Sequence, residues 1–271
     1  MLMRKQNDTD SSLENNVDEL DSGVTFEVVE GDVEGGRAVR RRGVFLLPNL
    51  LTTAALFCGF YAVVASMNGS FEEACVAMFV AMFLDGLDGR VARLTNTQSA
   101  FGAEYDSLSD LVAFGVAPAL VVYAWSLSAI GKVGWMVSFI YVACAALRLA
   151  RYNTQVDAAD SRYFTGLPSP TAAAVVASLV WVGFDRGFVG SDYAIVVAGM
   201  TLLIGLSMVS NVSYTSFKEV DFKGRVPFVA ILFVVMMFAV VFVDPPITLF
   251  IASFGYTLSG PIISFWKRVA G

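Results

Sequence analysis

Four aspartates stand close together in a strongly apolar part of the chain: Asp85, Asp88, Asp106 and Asp110, in the stretch FLDGLDGRVARLTNTQSAFGAEYDSLSD from Phe83 to Asp110. Asp85 and Asp88 are spaced i, i+3 and Asp106 and Asp110 are spaced i, i+4, so each pair shares one face of a helix. Arg93 follows Asp85 at i+8, about two turns on and nearly on the same face. Gly89 and Gly102 sit beside the acids, where a missing side chain lets a ligand or another backbone come close. An ionised carboxylate in hydrocarbon costs roughly 2.5–3.5 kcal/mol on insertion scales. Four of them do not face lipid; they converge on something cationic. A pair of divalent metals is the simplest partner, and all-oxygen ligation favours Mg²⁺ or a similar hard ion over zinc. Intramembrane acids also serve as ion pathways in transporters, but a transporter has no need of the glycine and arginine offsets.

These acids must be carried by membrane helices. The 271 residues are 56% hydrophobic and 15% charged, the composition of a multi-span membrane protein. A span needs roughly 20 apolar residues, and the expected architecture is an all-α polytopic bundle of about eight transmembrane helices. They fall at about 46–68, 72–95, 103–126, 132–152, 168–184, 192–210, 226–243 and 246–266. The aspartates then straddle the end of span 2, a loop near Thr95–Ala100 and the start of span 3. Pro118 is tolerable inside span 3 provided a neighbour satisfies the carbonyl it frees. Asp244-Pro245-Pro246 reads as a tight turn between the last two spans.

The pattern D-x-x-D-G-x-x-A-R, eight residues, G-x-x-x-D-x-x-x-D resembles the signature of the CDP-alcohol phosphatidyltransferase family. Asp85, Asp88, Gly89, Ala92, Arg93, Gly102, Asp106 and Asp110 match it without departure. The resemblance implies two divalent ions, Mg²⁺ or Mn²⁺, held by the four aspartates, with Asp110 also the base that takes a proton from the acceptor alcohol. It implies a CDP-lipid donor, CDP-diacylglycerol, contacted through Asp85, Gly89, Ala92, Arg93 and Gly102, with Arg93 on its phosphates. The P-N-x-x-T element at the head of span 1 lies beside the nucleotide in the family, which implicates Asn49 and Thr52. Thr52 reads equally as a threonine bonded to its own backbone, and Gly102 equally as a close-packing glycine. A homodimer is implied as well.

Span 4 ends in ALRLARYN, followed by FTGLPSP at Phe164–Pro170. One arginine in a last helical turn is explained by the helix dipole and the positive-inside rule. A pair followed at once by Tyr152 and Asn153 is explained less well. Together these blocks resemble the bacterial and archaeal phosphatidylserine synthase branch of the family. The implied acceptor is L-serine, read by Arg148, Arg151 and Asn153; an arginine can bind its carboxylate bidentately. Other acceptors within the class are glycerol 3-phosphate or inositol phosphate. The polar loop after span 6 reads by itself as a solvated face; the resemblance places it on the side of the site, which implies Asn211, Ser213 and Lys218 as weaker candidates at the rim.

The remaining composition narrows the chemistry further. There is no histidine, which excludes Ser-His-Asp and Cys-His catalysis and histidine metal sites. Cys58, Cys75 and Cys144 all fall in expected spans, as small buried residues rather than disulfides or ligands. The net charge of −6 is concentrated: residues 1–36 hold ten acids and two bases, the other 235 fourteen acids and sixteen bases. The first 36 residues therefore read as a disordered acidic tail and 37–271 as the membrane-embedded catalytic part. A weak alternation at Val24–Val33 has no evident strand partner. Arg37, Arg40, Arg41 and Arg42 read as an anchor at anionic headgroups rather than a nucleic-acid site. Only Lys132 and Arg186, of eighteen Lys and Arg, fall in the opposite loops. That bias predicts a multi-pass protein of the cytoplasmic membrane with the aspartates and both termini on the cytoplasmic side.

Overall fold

The structure, a computed structural model, describes residues 33–34, 37–38, 46–95, 99–155, 163–215 and 228–270. The chain divides into two compact units, 1–41 and 42–271. In the first, β1 (Val33–Glu34) pairs antiparallel with β2 (Arg37–Ala38); of the alternating stretch Val24–Val33 only Val33 is among the described residues. The rest of the acidic tail, and Arg40–Arg42, lie outside the described residues.

The second unit is a helix bundle. Its helices are α1 (Leu46–Met67), α2 (Phe71–Leu94), α3 (Ala100–Asp110), α4 (Ala117–Trp125) and α5 (Lys132–Gln155). After the strand β3 (Tyr163–Thr165) come α6 (Ser169–Asp185) and α7 (Ala194–Val209), then the strand β4 (Ser213–Thr215), α8 (Phe228–Val243) and α9 (Pro245–Ala270). Each of the eight expected spans is matched by helix, α3 and α4 together forming the third. Five helical stretches among the described residues are long and apolar enough to cross a membrane: Leu47–Met67, Ala100–Trp125, Lys132–Thr154, Gly190–Val209 and Pro245–Ser264. The chain is a multi-pass membrane protein.

Small side chains let these helices approach. Ala62 and Ala65 of α1, Ala74, Ala77 and Ala81 of α2, and Ala172, Ala173 and Ala177 of α6 are buried in the core. A Cβ on Gly59 would stand 2.8 Å from the Ala113 Cα, so α1 meets the third span backbone to backbone there. The outward faces carry large apolar groups such as Phe57, Phe60, Ile195 and Leu203, suited to lipid. All three cysteines are free; Cys75 and Cys144 are buried and Cys58 half-buried.

The third span is not a uniform helix. Ser99 caps its start, accepting from the Gly102 N–H at 2.9 Å. Directly after Asp110, residues Leu111–Val116 form a π-helical turn, a feature that concentrates at functional sites. Pro118 has no N–H to offer the Phe114 carbonyl four residues earlier. The Tyr141 hydroxyl of α5 donates to that carbonyl at 3.3 Å, which is the resatisfaction that Pro118 requires.

The stretch Phe164–Pro170 runs from the end of the strand β3 through a short connection into the first turn of α6. β3 pairs antiparallel with β4, Tyr163 opposite Thr215 and Thr165 opposite Ser213. The Gly166 N–H continues the ladder to the Val212 carbonyl at 2.8 Å, and Leu167 N–H reaches the Ser207 carbonyl at 3.0 Å. The turn between α8 and α9 is a single residue, Asp244, whose Oδ1 accepts from the Ile247 N–H at 3.2 Å and so caps α9.

Candidate active site

The C-terminal end of α2, the C-terminal half of α3 and the first turns of α1 meet at one end of the bundle. Asp85, Asp88 and Asp106 each turn a carboxylate oxygen into a common space, these oxygens all lying within 4.8 Å of one another. Asp110 is not part of that trio; its side chain touches that of Asp85. The i, i+3 and i, i+4 spacings thus deliver facing groups from two helices.

Thr52 joins them from α1. It is buried, and its hydroxyl lies 2.7 Å from Asp88 Oδ2 and 3.1 Å from the Pro48 carbonyl. The carboxylate is the stronger acceptor, so Thr52 fixes the orientation of Asp88 while also closing on its own backbone. Ser109, between Asp106 and Asp110, is buried too and donates to the Thr52 carbonyl at 3.1 Å. Thr53, one residue on, shares a hydrogen bond with the Tyr105 hydroxyl at 2.9 Å. Three contacts therefore pin α1 to the acidic helices.

The glycines of the motif separate in kind. A Cβ on Gly89 would meet nothing within 4 Å, leaving open space over the helix backbone beside the acids. A Cβ on Gly102 would stand 3.1 Å from Ser99 Oγ and 3.4 Å from Asn49 Oδ1, a packed position against the cap. Asn49 is half-buried there, Ala92 is half-buried and Arg93 is exposed at the end of α2.

The end of α5 reaches the same region from the other side. Arg148 donates to Ser169 Oγ at 2.5 Å, at the head of α6. Its guanidinium is within electrostatic reach of Asp110, Tyr152 and Tyr256. Asn153 donates to Ser107 Oγ at 2.9 Å, on α3 between the two aspartates. Arg151 points elsewhere: it donates to the Val209 carbonyl at 3.4 Å and to Asn211 Oδ1 at 2.8 Å, binding α5 to the end of α7. Asn211 is thereby that arginine's acceptor. The Ser213 side chain and Lys218 lie outside the described residues.

The residues fit a hard divalent cation. Every candidate ligand is a carboxylate oxygen, and Asp106 Oδ1 is buried with no hydrogen-bond partner among the described residues. Sequence reasoning missed Ser107, Ser109, Ser169 and Tyr141. The serines lay inside motifs already marked out, and Pro118 was the signal for Tyr141, since a proline within a span demands a donor from a neighbour.

A helical membrane bundle with such an oxygen trio at its helix ends has the parts of a phosphoryl-transfer enzyme acting on lipid. The family model for CDP-alcohol phosphatidyltransferase matches residues 45–209, the run from α1 to α7, and the chain belongs to that family. It is similar to a CDP-diacylglycerol–serine O-phosphatidyltransferase of Helicobacter pylori, 38% identical over 195 residues that cover 72% of this chain and 82% of that protein. A protein of the same name from Mycobacterium tuberculosis is 42% identical over 159 residues, 56% of this chain and 55% of that one. The archaetidylserine synthase of Methanothermobacter thermautotrophicus is 34% identical over 170 residues, 62% of this chain and 69% of that one.

Proposed function

We propose that the chain transfers the phosphatidyl group of CDP-diacylglycerol to the hydroxyl of L-serine, giving phosphatidylserine and CMP. The observation that carries this reading is the meeting of the Asp85–Asp88–Asp106 trio with Asp110, and of Asp110 with the half-buried Arg148. Serine in the names of all three relatives supports the acceptor.

The donor's pyrophosphate lies over Gly89, where the backbone is open, with Arg93 adding positive charge to its oxygens and Asn49 and Thr52 at its nucleotide side. Two divalent ions, Mg²⁺ or Mn²⁺, held by Asp85, Asp88, Asp106 and Asp110, supply stabilisation of the charge that builds on the phosphoryl oxygens. Arg148 binds the serine carboxylate and so brings the serine hydroxyl towards Asp110. Asn153 borders the same space from α5, while Arg151 holds the α5 and α7 ends together behind it. The proton of the serine hydroxyl passes to the Asp110 carboxylate. The serine oxygen forms its bond to the lipid-side phosphorus as the bond from that phosphorus to the bridging oxygen breaks, and the electron pair leaves with CMP. No histidine competes for the role of base.

The site faces the cytoplasm in this reading, as do both termini, because the Lys and Arg cluster on that side of the spans. The enzyme works as a homodimer in the bilayer. The deciding experiment is CMP release from CDP-diacylglycerol with L-serine compared against glycerol 3-phosphate and myo-inositol phosphate, with and without chelator. Serine-dependent release that the chelator abolishes is expected; release with a phosphorylated alcohol and none with serine overturns the acceptor.

A further inference from the structure

The polar residues at the end of α5 part company in what they hold. Arg151 spends Nη1 on the Val209 carbonyl at 3.4 Å and Nη2 on Asn211 Oδ1 at 2.8 Å, both at the end of α7. Asn153 reaches Ser107 on α3 at 2.9 Å. Arg148, one turn before Arg151, turns Nη1 to Ser169 Oγ at 2.5 Å. Ser169 is fully buried and has no open face to offer a substrate. What it does for the reaction, it does through that arginine.

Ser169 is the first residue of α6, and the chain that delivers it is tied down on the way. Gly166 has φ +82°, in the left-handed region, and a Cβ there would run into the Met208 carbonyl oxygen. Only glycine admits both the turn and the approach. The Gly166 N–H donates to the Val212 carbonyl at 2.8 Å and the Leu167 N–H to the Ser207 carbonyl at 3.0 Å, with the Leu167 side chain fully buried. Pro168 and Pro170 flank Ser169, each with φ fixed by its ring. The contacts close a circuit. Arg151 holds α5 to Val209 and Asn211, Ser207 and Val212 hold Leu167 and Gly166, and these lead through Pro168 to Ser169, which holds Arg148 back on α5.

A guanidinium carries its N–H donors in one plane. A fixed acceptor at Nη1 restrains rotation of that plane, and so sets the direction from which the remaining donors meet a carboxylate as a fork. We propose that Ser169 is a positioning residue for the acceptor, holding the Arg148 guanidinium in the plane at which it grips the acceptor carboxylate, and that the Gly166 turn fixes where Ser169 stands. The inference rests on the serine reading above and assigns a role to a residue that the substrate never touches.

The test is steady-state CMP release by the full chain in lipid, with KM measured separately for L-serine and for CDP-diacylglycerol. Ser169→Ala removes one oxygen and keeps the start of α6; KM for serine rises about tenfold while KM for CDP-diacylglycerol stays unchanged. Ser169→Cys, similar in shape with a weak acceptor, gives the same split and serves should the alanine protein fail to fold, which thermal midpoints reveal. Gly166→Ala displaces the connection and raises serine KM in the same direction. Arg148→Lys keeps the charge and discards the plane. It raises serine KM on its own, and adding Ser169→Ala to it costs less than about twofold more. A serine that only supports the fold would lose activity by the same factor in both backgrounds. An unchanged serine KM in the Ser169 variants, an equal rise in both constants, or additive losses in the cycle overturns the assignment. An unchanged serine KM in folded Gly166→Ala overturns the part given to the turn. If wild-type protein turns over another alcohol and not serine, the serine reading falls by itself. The cycle is then run with that alcohol: coupled losses keep Ser169 as the residue that orients Arg148, and additive losses overturn it.

Discussion

At the scale of single residues, the acids divide by their neighbours. Asp85, Asp88 and Asp106 share a space sized for cations, whereas Asp110 stands beside Asp85 with Arg148 in range. Asp110→Asn keeps the size and polarity of the side chain and removes the base. Turnover should fall below detection in the CMP-release assay while CDP-diacylglycerol still binds in a direct binding measurement; substantial residual turnover would move the base elsewhere. Thr52→Val removes the hydroxyl that orients Asp88 and keeps the shape. A group one shell out from a metal ligand is worth about 10–100-fold in metal affinity or activity. The expected outcome is a shift of that order in the Mg²⁺ or Mn²⁺ concentration for half-maximal rate, read by metal titration. Thr52 was visible in the sequence as part of P-N-x-x-T, but both its possible roles were open, because i, i+3 spacing says nothing about what α1 packs against. The approach of α2 adds a contact that the spacing could not foretell: the hydroxyl lies 2.7 Å from Asp88 Oδ2 as well as 3.1 Å from the Pro48 carbonyl.

At the scale of elements, the proline within the third span is answered from outside its own helix. Pro118 frees the Phe114 carbonyl, and α5 supplies Tyr141. Phe114 lies within the π-helical turn that begins right after Asp110. Tyr141→Phe leaves a buried carbonyl unsatisfied, at a cost of about 1–3 kcal/mol. Thermal unfolding in detergent should show the loss as a lower midpoint, and turnover should fall with it as the segment behind Asp110 loosens. The opposite end of the bundle offers a contrast. Arg186 donates to Asp244 at 2.6 Å, in a pair that is partly exposed, and Asp244 also caps α9. Exposed pairs contribute about 0–1 kcal/mol and a cap about 1 kcal/mol. Asp244→Ala should therefore lower the midpoint modestly and leave CMP release per folded molecule unchanged; a large loss of turnover would couple the two ends of the bundle.

At the scale of the whole molecule, the site is assembled from segments distant in sequence. α1 brings Asn49 and Thr52, α2 and α3 the acids, α5 its arginines and asparagine, and the β3–β4 ribbon leads into Ser169. Chelation tests the assembly as one unit. Carboxylates gathered this closely repel one another unless cations sit among them. Removing divalent ions should abolish turnover reversibly and lower the unfolding midpoint, and adding Mg²⁺ or Mn²⁺ back should restore both. An unaltered midpoint with activity intact would remove the metal from the account.

The helices at the eight expected spans, the aspartate pairs and the arginine pair were legible in the chain because each rests on a short-range rule: apolar length, helical periodicity, fixed motif spacing. The ribbon was not, since β3 and β4 are three residues each and have 47 residues between Thr165 and Ser213, with no periodicity strong enough to announce them. The split between Arg148 and Arg151 was equally hidden. They are one turn apart on α5, and only the positions of α6 and α7 send the first to Ser169 and the second to Val209 and Asn211. Residue types and local spacing decided which groups could hold cations and phosphates. Which of them meet was decided by packing between helices, where a small residue, a freed carbonyl or a tyrosine ring sets the distance of approach.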